Sequence, residues 1–240
     1  MSSRKPAPLD PVQHVDWPAV AADLDARGCA VVTGLLTPAA CDALRDLYPQ
    51  DTPFRSRIVM ARHGFGRGEY KYFAYPLPAS VAALRSALYP HLAPIANRWS
   101  SRMGSDTTFP DTHQAFLERC HAAGQMRPTP LLLQYEAGDY NCLHQDLYGP
   151  TVFPLQVAIL LSEPTRDFEG GEFVLVEQRP RMQSRAEVVA LAQGDAVVFA
   201  VSERPVAGAR GDYRVKMRHG VSRLRTGRRH TLGIIFHDAA

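Results

Sequence analysis

From Pro130 to the end, the chain is a succession of short apolar runs: PLLLQY, VFPLQVAILL, GEFVLVE, EVVALA, DAVVFAV, DYRVKM and HTLGIIF. Gly, Pro or charged clusters separate them. Many short runs at this spacing read as the strands of a sandwich or barrel. Eight or so strands in two sheets is the jelly-roll arrangement, which protects most strand edges.

The residues before Pro130 have a different character. Asp16 is placed to cap a helix through VDWPAVAADLDARG, with Pro18 in its first turn and Gly28 ending it. CAVVTGLL reads as a strand, and Thr37-Pro38 opens a second helix. A long helical pattern runs from Pro78 to Met103, with Leu84, Leu88, Leu92, Ile95 and Trp99 near one face. Pro90 and Pro94 are expected to break or kink it. PDTHQAFLERCHAAGQ is a further helix candidate, and the Gly- and aromatic-rich RIVMARHGFGRGEYKYFAYPLP reads as a hairpin or mobile flap. The expected class is mainly β with N-terminal helices (α+β), built on a double-stranded β-helix. With 240 residues and no clear linker, the expectation is one domain over 1–240. In it, 1–129 form a helical lead-in and flap, and 130–240 a jelly-roll core.

Composition mainly excludes. No stretch approaches the roughly 18 uninterrupted apolar residues of a membrane span. The start, MSSRKPAPLDPVQ, reads as a short flexible arm and not as a secretion signal. Four scattered cysteines without CxxC spacing fit reduced thiols in a cytoplasmic protein. A net charge of +3 is too small to argue for nucleic acid alone. Nine Arg or Lys stand between Arg204 and Arg229 against Glu203 and Asp212, and a second basic stretch holds Arg55, Arg57, Arg62, Arg67 and Lys71. Solvated strand edges and a surface for an anionic substrate are both open readings.

The sharpest local feature is His144-Gln145-Asp146. Alternate residues of a strand share a face, so this His and Asp can address one ion. An imidazole and a carboxylate suit a first-row divalent metal and call for a third ligand. His219 follows 73 residues after Asp146 and is trailed by Val221, Gly227, Arg229, Leu232 and Phe236.

In that tail the chain resembles the 2-oxoglutarate/Fe(II) oxygenase superfamily, whose pattern is a His, an aliphatic two later, a Gly eight later and an Arg or Lys ten later. Gly170-Gly171-Glu172-Phe173 and Gly194-Asp195 through Phe199 are similar to further strands of that family. The likeness covers about residues 130–237. It implies a dioxygenase with Fe(II) held by His144, Asp146 and His219, with 2-oxoglutarate and dioxygen as co-substrates. Guanidinium suits the far carboxylate of the keto acid. Arg229 is the candidate, and Arg228, on the opposite strand face, is its rival. Thr231 resembles the hydroxyl that accompanies this arginine, while His230 and His237 read as packing or surface histidines.

The stretch QYEAGDYNCLHQD resembles AlkB-like oxygenases that act on nucleic acid, and there Tyr135 would contact the keto acid. The resemblance implies oxidative hydroxylation or demethylation of damaged, N-methylated nucleic acid, with Tyr70, Tyr72 and Tyr148 as substrate contacts. Two departures stand out: Leu133 replaces an Asn, and Tyr148 replaces a second Asp used on the base. The alternative is a protein or amino-acid side-chain hydroxylase of prolyl type. A third reading is a non-catalytic, cupin-like metal-binding protein.

Overall fold

The computed structural model describes residues 12–209 and 211–240. Residues 1–11 of the expected arm lie outside the described residues, and Val12, which follows them, is buried.

Helix α1 (Trp17–Arg27) starts where the Asp16 carboxylate accepts from Ala19 N–H, and it stops where Gly28 adopts a left-handed φ of 79°. Strand β1 (Cys29–Val32) follows, then α2 (Pro38–Arg45), capped by the Thr37 hydroxyl. Strands β2 (Phe54–Val59), β3 (Gly66–Arg67) and β4 (Glu69–Phe73) come next. The expected hairpin is therefore present. It is no detached flap, because β4 also pairs with β5 (Leu131–Glu136).

Helix α3 (Ala79–Arg102) runs unbroken through Pro90 and Pro94, against expectation. Each proline removes a backbone donor, at about 3 kcal/mol. Leu84, Leu88, Leu92, Ile95 and Trp99 are all buried, and at about 2 kcal/mol each they outweigh that cost. Helix α4 (His113–Ala122) is capped by Thr112.

The remaining strands are β6 (Tyr140–His144), β7 (Leu155–Leu160), β8 (Phe168–Gly170), β9 (Phe173–Gln178), β10 (Arg185–Val189), β11 (Ala196–Ala200), β12 (Glu203–Gly208), β13 (Gly211–Val221) and β14 (Leu224–Ile234). One sheet has the order β1-β11-β7-β14-β5-β4-β2, with β8 on the first residues of β14. The second has the order β10-β9-β13-β6-β3, with β12 also on β13. The pairings are antiparallel, as a jelly roll requires.

Burial follows from this layering. β11 reads AVVFA and is buried throughout, because α1 lies on one face and the second sheet on the other. β13 alternates: Arg214, Lys216 and Arg218 face solvent, while Val215, Met217 and His219 face inward. That parity sends His219 into the space between the sheets. In the sequence His219 leads a strand-rich tail. It lies near the end of one long strand that also contains DYRVKM.

Candidate active site

The first histidine owes its aim to an irregularity. Between β13 and β6 the register runs His219 opposite His144, then Val221 opposite Asn141, so β6 carries one extra residue. Such a bulge re-aims side chains beside functional sites. Strand β6 ends at His144, and Asp146 lies beyond it in irregular backbone, so the expectation of a shared strand face fails. Asp146 is instead positioned by its neighbours. The Gln145 amide donates to Met217 O at 2.9 Å and Ser202 O at 3.2 Å, pinning the segment to β13. The Tyr148 hydroxyl donates to Asp146 Oδ1 at 2.8 Å.

The structure brings three of the residues singled out in the sequence together. His219 Nε2 lies 3.3 Å from Asp146 Oδ2, and His144 Nε2 lies 3.4 Å from Asp146 Oδ1. One ligand atom from each of the three lies within 4.8 Å of the others. His144 Nδ1 donates to Cys142 O at 2.7 Å, which leaves Nε2 with its lone pair toward the cluster. His219 packs against the Phe199 and Phe173 rings. Burial lowers its affinity for a proton, against the pull of Asp146, and so favours the neutral form that a metal ligand requires. Burial alone would raise the Asp146 carboxyl, but its bonds to His144 and His219 outweigh that and hold it well below the usual range. Burial likewise opposes a proton on His144, and the Asp146 contact reverses the sign, leaving that imidazole raised. Two imidazoles and one carboxylate converging on a point fit a divalent transition metal with several positions left open.

A cavity of about 430 Å³ opens beside the cluster. Arg229 lies in its wall, 2% exposed, opposite Tyr135 in the β14–β5 register. Its Nη1 donates to Thr231 Oγ1 at 2.6 Å, while its Nε has no partner among the described residues. The guanidinium carbon lies 5.8 Å from the Tyr135 ring and 5.9 Å from the Phe168 ring. Burial, above all, lowers its pKa to about 10. A buried cation without an ion pair is costly, so this end of the cavity calls for an anion. Arg228 points the other way and pairs with Glu136 at 2.7 Å on the exposed face.

Tyr135 is buried in the cavity wall, and Gly68 makes room for it. A Cβ at Gly68, whose φ is +113°, would stand 2.9 Å from the Tyr135 ring. Tyr70 and Tyr148 also line the cavity. Tyr72 is not among the lining residues: it is buried edge-on to Tyr70, with the Arg55 guanidinium 4.5 Å over its ring. The hydroxyl of Tyr148 is turned to Asp146. His230 and His237 are buried, at 9% and 0% exposure, as packing histidines. Sequence reasoning missed Gln145, whose role depends on carbonyls of distant strands, and Gln156, a polar residue in an otherwise apolar strand.

Three comparisons bear on this geometry. The Oxygenase-NA family model, described as an oxygenase catalysing oxidative methylation of damaged DNA, matches residues 68–239. Two uncharacterized proteins of Mycobacterium tuberculosis strains are each 45% identical over 229 residues, covering 95% of this chain and 93% of theirs. Among solved structures, a 2OG-Fe(II) oxygenase family oxidoreductase from Burkholderia pseudomallei aligns with a TM-score of 0.57 at 16% identity, over 95% of this chain and 94% of that one. A Pseudomonas putida prolyl-4-hydroxylase aligns with a TM-score of 0.54 at 15% identity, over 93% and 99%. At such identities the solved structures establish a shared jelly-roll fold.

Proposed function

The chain belongs to the Oxygenase-NA family, and from that premise we propose an Fe(II)- and 2-oxoglutarate-dependent dioxygenase that oxidises N-methylated bases of damaged nucleic acid. The observation that carries the oxygenase reading is the buried Arg229, without an ion pair among the described residues, in the same cavity as the His144, Asp146 and His219 cluster. A barrel that binds metal alone has no reason to bury an arginine there, which argues against a non-catalytic cupin-like role.

In this reading His144, Asp146 and His219 hold the iron. Arg229 and Thr231 receive the far carboxylate of the keto acid, and Tyr135 stands against that arginine. The apolar side chains of Leu131, Leu133, Phe173 and Phe199 exclude water from the cavity. When bound, the iron with keto acid and dioxygen supplies the oxidation of a nearby C–H bond. An N-methyl group hydroxylated there loses formaldehyde and leaves a demethylated nitrogen.

The nucleic-acid assignment draws on the family's description and on the surface. Lys216 and Arg218 point outward from β13, and neither they nor Arg62, Arg223 and Arg225 form an ion pair among the described residues. Such cations suit phosphates. Side-chain hydroxylation of a peptide is the second reading, favoured by the exposed Phe65 and Leu143 in the cavity wall and Leu147 beside it. The lead-in belongs to the same catalytic unit in this account, because β4 extends the sheet that holds Arg229. The four free thiols fit the cytoplasm, and among the described residues no helix is long and apolar enough to cross a membrane.

Formaldehyde release from N-methylated oligonucleotides, with Fe(II), ascorbate and 2-oxoglutarate, is the test. Turnover supports the reading. No release, together with hydroxylation of peptides detected by mass spectrometry, replaces it with the second.

A further inference from the structure

Strand β7 carries one polar side chain into the cavity wall. Gln156 is 3% exposed, and neither end of its amide is hydrogen-bonded to a described residue. Buried amides are nearly always satisfied, so an orphan of this kind needs a reason.

Its position supplies one. Thr231 stands opposite Leu160, and Gly233 opposite Ala158, in the β14–β7 register. Gln156 lies four residues along β7 from Leu160, on the same face, away from the arginine end. At roughly 3.3 Å per residue that is about 13 Å from Thr231 along the sheet. That separates the amide from the guanidinium that would anchor the far carboxylate of the keto acid. The cavity is thus bipolar, with a cation at one end, an unsatisfied amide at the other, and the His-Asp-His cluster in the same wall.

We propose that Gln156 is a specificity-determining residue whose amide reads the hydrogen-bonding edge of the substrate base. This rests on the nucleic-acid reading above. An amide offers a donor and an acceptor in one plane, which matches the paired donor and acceptor on a base edge. A site built to hydrogen-bond its substrate rejects one that leaves the amide unpaired, and that gives strong discrimination.

Gln156→Met keeps the length and removes the polar atoms, and Gln156→Leu provides a second apolar variant. A structural amide and a substrate-reading amide predict opposite melting behaviour. Removing an orphaned buried amide should raise the melting temperature of the metal-free chain by a few degrees. A fall of several degrees in both variants overturns the proposal. In calorimetry on the Co(II)-loaded chain, 2-oxoglutarate should bind within about two-fold of the parent.

With a single-stranded oligonucleotide bearing one 1-methyladenine, kcat/KM for formaldehyde release should fall at least ten-fold. An unchanged kcat/KM also overturns the proposal. A parent chain that turns over no methylated oligonucleotide refutes the nucleic-acid reading instead, and the melting arm then decides whether Gln156 is structural.

Discussion

The Tyr148 hydroxyl donates a 2.8 Å hydrogen bond to Asp146 Oδ1, the oxygen that also lies 3.4 Å from His144 Nε2. One carboxylate oxygen is thereby restrained, on a segment that no strand supports. Partners of this kind typically carry 10- to 100-fold in metal affinity. Tyr148→Phe should weaken Co(II) binding at least about ten-fold in a dialysis titration. An unchanged dissociation constant would mean that the bond does not orient the ligand.

Arg229 and Arg228 are neighbours in sequence on opposite strand faces. Truncating a buried charged partner costs about 2–5 kcal/mol, whereas an exposed pair is worth under about 1 kcal/mol. Arg229→Leu should therefore raise the apparent 2-oxoglutarate constant by about 30-fold or more. Arg228→Ala, which loses only the exposed Glu136 contact, should change it less than about three-fold. Steady-state titration of the keto acid separates the two. Equal effects would sink the face assignment.

Much of this was legible because it is local or periodic. The caps at Asp16 and Thr37 and the alternation on β13 are readable from adjacent residues. The spacing from His219 to Arg229 survives because they lie on consecutive strands, β13 and β14, that a two-residue connection joins across the two sheets. What escaped depends on distant partners. The β6 bulge follows from pairing with β13, and Gln145 acts through carbonyls more than 50 residues away. Helix α3 survives two prolines only because the assembled core covers it. Tyr72 shares a strand face with Tyr70, and its burial under Arg55 depends on a residue of another strand.

Arg85 ties α3 to the end of the chain. It is 1% exposed and donates to Ile235 O, Phe236 O and the fully buried Asp238. Burial would raise the Asp238 carboxyl, but Arg85 together with hydrogen bonds from His121 and Tyr75 lowers it. Removing one partner of a buried pair leaves an uncompensated charge, at about 3–5 kcal/mol. Arg85→Met should lower the unfolding free energy by that amount in urea titrations. A change below about 1 kcal/mol would show the pair to be solvated in solution.

His113 and His230 are both pushed down from 6.5 to about 4, mainly by burial. Above about pH 6.5 each is neutral whether the chain is folded or unfolded, and neither changes stability. Between about 6.5 and 4 the unfolded chain binds protons that the folded chain refuses, so stability falls as pH falls. Each histidine contributes up to about 3 kcal/mol to that loss. Unfolding free energies measured from pH 8 to pH 4 should decline through this window. His113→Leu should flatten the decline, and a pH-independent stability would contradict the burial argument.

The central claim is that His144, Asp146 and His219 hold an iron that acts with a keto acid bound at Arg229. Its most direct test needs no knowledge of the primary substrate. Succinate formed from 2-oxoglutarate with Fe(II) and ascorbate should be detectable for the parent chain and should vanish in His219→Ala. Succinate formed by that variant at the parent's rate would contradict the claim.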